Sequence, residues 1–122
     1  MKVILGLLAA AALAGCESMT AVSDGTVAAH RAGNRLFLAN LSSQSVHYFV
    51  VDRQEAAGIN WIPCVADPCA SLPPQAEQSA ALSDVPGYRP GSAELLVYWW
   101  RSVPGANGGR THDSIRVLTV RL

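Results

Sequence analysis

The spacing of hydrophobic positions changes twice along this chain, and each change marks a boundary. Residues 3–13 are apolar without interruption except at Gly6. A helix that crosses a hydrocarbon core takes about 20 apolar residues, so this run is too short for a permanent span. Residues 17–34 are small and polar, rich in Ala, Ser, Thr and Gly, with no sustained period, and read as a flexible tether in which residues 27–32 could make a helical turn. From Arg35 onward the spacing is that of strands. Residues 35–41 end in the turn composition Asn40-Leu41-Ser42-Ser43, and residues 46–52 are β-branched and aromatic, so the two are expected to pair antiparallel. A third strand is expected over residues 57–62, with Ile59 and Trp61 on one face, and a weaker one over residues 75–82. Residues 93–101 and 114–122 flank a loop containing Val103-Pro104-Gly105-Ala106-Asn107-Gly108-Gly109, which predicts a hairpin. Ile115 and Val117 fall out of register with Leu118, Val120 and Leu122, which suggests a bulge near Val117.

The first boundary carries an address. Met1 and Lys2 precede the apolar run, and small residues follow it, which is the three-part pattern of a signal peptide. Its end, Leu13-Ala14-Gly15-Cys16, resembles the lipobox of bacterial lipoproteins. That resemblance covers residues 1–16 and implies cleavage between Gly15 and Cys16. It also implies a diacylglyceryl thioether on Cys16 and usually acylation of the new amino group, palmitate included. Small residues let an extended backbone enter a narrow peptidase cleft, and a thiol is well suited to thioether formation. Two or three acyl chains give lasting attachment where one does not. Glu17 stands where an inner-membrane protein of this kind usually has aspartate. The expected place is therefore the outer membrane, facing the periplasm, if the source has two membranes.

The expected organisation is a signal peptide at 1–15, a lipidated tether at 16–34 and one domain at 35–122. The chain has 9 basic and 9 acidic residues, spread without a basic block, which argues against nucleic acid as a partner. Of 3 cysteines, Cys16 is assigned to lipid, which leaves Cys64 and Cys69 as a pair. Pro63 and Pro68 mark their segment as a turn, and an exported compartment permits oxidation. A local disulfide is expected, since a redox pair usually has two intervening residues and a zinc site would need two more ligands.

Six or seven short strands with turns between them indicate an all-β antiparallel sandwich, immunoglobulin-like by preference, with a small closed barrel as the alternative. Trp61 on a middle strand resembles the core tryptophan of immunoglobulin-like domains. Tyr88, in Pro86-Gly87-Tyr88-Arg89-Pro90-Gly91, resembles their tyrosine corner. No nucleophile elbow, phosphate loop or metalloprotease helix is present. A cupredoxin-type copper site would need a methionine near the chain end, and no methionine follows Met19. No cofactor or metal is expected, and His30, His47 and His112 read as ordinary strand, tether or turn residues.

Surface recognition is therefore the expected activity rather than catalysis. Residues 95–100, Leu-Leu-Val-Tyr-Trp-Trp, are apolar on both faces of one strand. Val97 and Trp99 are expected inside, and Tyr98 and Trp100 outside as a binding face for an envelope protein or cell-wall glycan. Against that stands the reading in which the proline-rich segment 63–75 folds back over this face and makes both tryptophans structural. A second functional reading is an inhibitor or protector that presents the disulfide-pinned loop 63–74 to a hydrolase. A third is an enzyme whose residues converge from distant segments.

Overall fold

A computed structural model describes residues 21–66 and 68–122. The expected signal peptide and lipidation site, Gly15 and Cys16 included, and Asp67 lie outside the described residues. Among the described residues ten strands, one short α-helix and one 3-10 turn follow in the order β1 (Val22–Ser23), β2 (Val27–Ala32), β3 (Arg35–Asn40), β4 (Val46–Asp52), α1 (Arg53–Ala56), β5 (Ser71–Leu72), β6 (Glu77–Ala81), the 3-10 turn (Leu82–Asp84), β7 (Glu94–Trp100), β8 (Ser102–Pro104), β9 (Arg110–His112) and β10 (Arg116–Arg121). One sheet has the order β1-β2-β3-β6, the facing sheet β10-β7-β4-β5, and β8-β9 form a separate ribbon. All pairings are antiparallel. The two main sheets do not close on each other, which excludes the barrel and leaves a sandwich. The order β2-β3-β6 against β10-β7-β4-β5 matches strands A-B-E and G-F-C-C′ of immunoglobulin-like sandwiches.

Alternation builds the core. Val27 and Ala29 on β2, with Leu36 and Leu38 on β3, face Leu95, Val97 and Trp99 on β7 and Leu118 and Val120 on β10. Each valine or leucine among them, fully buried, contributes about 1.5–3 kcal/mol of transfer free energy. Leu72, Leu82 and Val85 close the ends of this core.

Five expectations need correction. The tether does not reach residue 34: β2 pairs with β3 along its whole length, and Val27 and Ala29 are core residues. A two-residue loop, Gly33-Asn34, joins them, with Gly33 at φ 59° as a type II′ hairpin requires at that position. Residues 27–32 are accordingly strand rather than helical turn. Second, β3 and β4 do not pair; they belong to opposite sheets. Buried Asn40 turns the chain between them by bonding to the backbone of Ser42 and Gln44 on one side and of Leu72 and Pro73 on the other. Third, residues 57–62 form no strand; the segment crosses the outer face of β4 and β7, where Trp61 packs on Phe49, Tyr98 and Trp100 instead of adding to a sheet edge. Trp61 consequently lies outside the core. Fourth, the β7–β10 register runs unbroken from Arg116 opposite Trp99 to Arg121 opposite Glu94, so there is no bulge at Val117. Val117 simply points outward. The fifth concerns Trp100 and belongs to the site.

The N-terminal hairpin is pinned to the second sheet through Asp24. Its carboxylate accepts from the Thr26 and Val27 amides at 2.9 Å each and from the Trp99 indole Nε1 at 2.7 Å. Partial burial pushes the Asp24 carboxyl up, but those three hydrogen bonds outweigh it and hold the group below its ordinary value.

Candidate functional site

The outer face of β4 and β7 is aromatic because alternation puts every second residue there. His47 and Phe49 on β4 stand beside Trp100 and Tyr98 on β7, while Tyr48 and Trp99 turn inward. The predicted orientation of residues 97–100 therefore holds: Val97 and Trp99 are buried between the sheets, and Tyr98 and Trp100 belong to the outer face.

What covers that face comes from the segment between β4 and β5. Asp52 ends β4 and caps α1, its Oδ2 accepting from the Gln54 and Glu55 amides at 3.0 and 3.2 Å. The hydroxyl of Ser92 is the main influence holding the Asp52 carboxyl below its ordinary value; burial opposes it, and the helix amides and the Arg89 charge assist. After α1 the chain turns at Gly58, whose N–H donates to the Glu55 carbonyl, and runs irregularly back across the sheet. Trp61 then settles on the aromatic floor, its ring centroid 5.0 Å from Phe49, 5.1 Å from Tyr98 and 5.5 Å from Trp100. The Cys64 carbonyl accepts from Trp100 Nε1 at 2.8 Å. Cys64 and Cys69 form the expected disulfide, with their Cα atoms 5.7 Å apart.

This corrects the expected platform. Trp100 is on the outer side of the sheet but only 2% exposed, because Trp61 lies on it and Cys64 takes its N–H. Tyr98 remains half-buried at the edge of the cover. The outer surface is instead formed by Trp61, Tyr98 and residues that sequence reasoning passed over. Ile62 is 88% exposed, Val117 is 50% exposed opposite Tyr98, and Ile115 is also exposed. A signal for Val117 was present: its misfit with Leu118 and Val120 is that of an apolar residue on the wet face, not of a bulge.

Beside the cover is a pocket of ≈ 380 Å³ lined by Phe49, Trp61, Ile62, Pro68, Trp100 and the disulfide. Among the described residues its lining has no charged group. Such a surface can pack against apolar groups and stack on rings.

Compared with protein-family models, curated proteins and solved structures, the chain gives no significant match.

The remaining histidines do not converge. His30 stacks on Phe37 at 5.0 Å on the outer face of the first sheet, His47 tilts towards Trp100, and His112 sits on the exposed β9. Among the described residues, no group of three or more His, Cys, Asp or Glu side chains could hold a metal ion.

Proposed function

We propose that the chain is a lipid-anchored envelope protein, attached through Cys16 at the outer membrane of a two-membrane source, whose sandwich is a non-catalytic module that binds another envelope protein. The docking surface is the outer face of β7 and β10 around Trp61 and Tyr98, extended by Ile62 and Val117. The observation that carries this reading is the apolar character of an exposed face: an isoleucine 88% exposed and a valine 50% exposed beside half-buried Trp and Tyr rings. Contiguous apolar surface of this kind marks interaction sites, and aromatic residues are enriched at protein interfaces. The covering segment is held by its disulfide and by the Trp100–Cys64 hydrogen bond, so little ordering cost remains to be met on binding.

The anchor is tested by metabolic labelling with radioactive palmitate. Label should enter the wild-type chain and be lost with Cys16→Ala, together with membrane attachment; equal labelling of both removes the anchor from the reading. The docking face is tested by placing a photo-crosslinking amino acid at Ile62 or Val117 in the living source organism. A discrete protein adduct that disappears with Trp61→Ala supports the face. Adducts from neither position, or adducts to glycan alone, overturn a protein partner.

A further inference from the structure

At one end of the sandwich the β3–β4 turn and the β7–β10 connection approach each other, and between them opens a pocket of ≈ 610 Å³. Ser43 and Ser45 line it from the turn, His47 from the start of β4, and Arg101, Pro104 and Arg110 from the other side. None of its lining residues is acidic. Among the described residues neither arginine forms an ion pair, since the two that occur join Arg53 to Glu94 and Arg116 to Asp113.

The two arginines are held in different ways. Arg110 is braced across the ribbon, its Nε donating to Ser102 Oγ at 2.9 Å and its Nη2 to the Ser102 carbonyl at 2.7 Å, which leaves Nη1 uncommitted. Arg101 has its guanidinium 5.3 Å from the centroid of the Trp99 ring, and its Nε is buried with no hydrogen-bond partner. The nearby Asp113 does not relieve it: that carboxylate takes the Arg101 backbone N–H at 2.7 Å and is otherwise engaged by Arg116. A guanidinium N–H removed from water without an acceptor is costly to maintain. Arg101 lines the pocket, and the ligand group that matches a guanidinium fork is an oxyanion.

We propose that this pocket binds a small ligand through an oxyanion, a carboxylate or a phosphate, held by Arg101 and Arg110, with the Ser43 and Ser45 hydroxyls as further donors. The turn and the connection correspond to the B–C and F–G loops, the end of an immunoglobulin-like sandwich where a rigid scaffold presents variable loops for binding. The site shares no claim with the apolar docking face and stands or falls separately from it.

The test is calorimetric titration of the full-length chain in detergent micelles at low salt. The probes are inorganic phosphate, N-acetyl-alanyl-alanine with its free carboxylate, and the same dipeptide amidated. One or both oxyanions should bind, and the amide should not. Binding of phosphate alone, or of the acid alone, assigns the anion. Arg110→Gln should weaken binding about tenfold, the size of one charge-assisted hydrogen bond. Because Arg101 also packs on Trp99, Arg110→Gln on the exposed ribbon is the decisive variant, and its unchanged melting temperature separates lost binding from lost fold. The proposal is overturned if neither oxyanion binds at tens of millimolar, if the amide binds as well as the acid, or if Arg110→Gln leaves the affinity unchanged.

Discussion

Asn40 offers the sharpest test of how the two sheets are joined. It is 1% exposed, and its Nδ2 donates to the carbonyls of Gln44 at 2.7 Å, Leu72 at 3.0 Å and Pro73 at 3.2 Å. Its Oδ1 accepts from the Ser42 amide at 2.9 Å and the Ser42 hydroxyl at 2.7 Å. Asn40→Ala removes all of these at once. The amide has two hydrogens, so the three carbonyls share two donors. Ser42 and Gln44 lie near solvent and recover water, whereas the Leu72 carbonyl, on a residue that is fully buried, does not. Two donated and two accepted hydrogen bonds at about 1 kcal/mol each give a loss of about 4 kcal/mol. For a domain of this size that lowers the melting temperature by roughly 15–30 °C.

Asn40→Asp makes the argument more specific. It replaces the donors with a negative charge facing three carbonyls, so at neutral pH it should be less stable than Asn40→Ala. Those carbonyls disfavour the carboxylate and raise its folded pKa above the unfolded value. The penalty is therefore full above the folded pKa and eases as pH falls, because protonation restores one donor. Urea unfolding followed by tryptophan fluorescence at pH 7 and pH 5 reads both effects. The reasoning fails if Asn40→Ala loses less than about 1 kcal/mol, the value of a single hydrogen bond. It fails equally if the aspartate variant matches the alanine variant at both pH values.

Three further outcomes are expected. Gly87→Ala should lose about 2 kcal/mol or more in thermal unfolding, because Gly87 has φ 78° and an added Cβ would lie 2.5 Å from Glu55 Cβ. Reducing the Cys64–Cys69 disulfide should destabilise by about 2 kcal/mol on the chain-entropy model and red-shift tryptophan emission as water reaches Trp100; an unchanged spectrum would mean that the cover does not depend on the bridge. Asp24 and Asp52 both sit below their ordinary value of 3.8, so the stability they contribute is complete above that value and is lost as pH falls through their folded values. Asp24→Ala should remove its share and flatten the acid limb of a stability–pH profile.

The strands that could be read from sequence were those whose alternation is strong and whose partners are close in the chain. Residues 94–100 and 116–121 alternate apolar and outward positions and join through a turn-rich loop, and they pair as expected. The β2–β3 hairpin was equally legible through Gly33-Asn34, between Val27-Ala28-Ala29 and Leu36-Phe37-Leu38, but the small residues of β2 carry a weak hydrophobic signal. Residues 57–62 show the opposite error. Ile59-Asn60-Trp61-Ile62 has strand-like alternation, yet Trp61 packs on the rings of Phe49, Tyr98 and Trp100, and that face exists only once β4 and β7 have paired. The cover over Trp100 was legible as the alternative in which residues 63–75 fold back over this face; that Trp61 forms part of it was not, since the cover comes from residues 36 to 39 positions earlier in the chain. The disulfide was legible because counting cysteines needs no topology.

The early start of the fold changes what lipidation at Cys16 would mean. With β1 beginning at Val22, only residues 17–21 separate the proposed lipid from the first strand. Five extended residues reach at most about 18 Å, so the domain would be held against the bilayer rather than lifted off it by a long coil. Direction follows from pairing. Strand β1 runs towards the Asp24–Thr26 turn, where the Thr26 carbonyl accepts from Leu41 N–H and Asp24 meets Trp99, the same end that carries the arginine pocket. The chain thus enters from the opposite direction, from the side of the Gly33-Asn34 turn, and the pocket end should point away from the membrane. A fluorophore on Asn34→Cys should be quenched by spin-labelled lipid more strongly than one on Ser43→Cys in reconstituted vesicles. Equal or reversed quenching would show that the domain lies on its side, and would place the pocket within reach of the lipid surface.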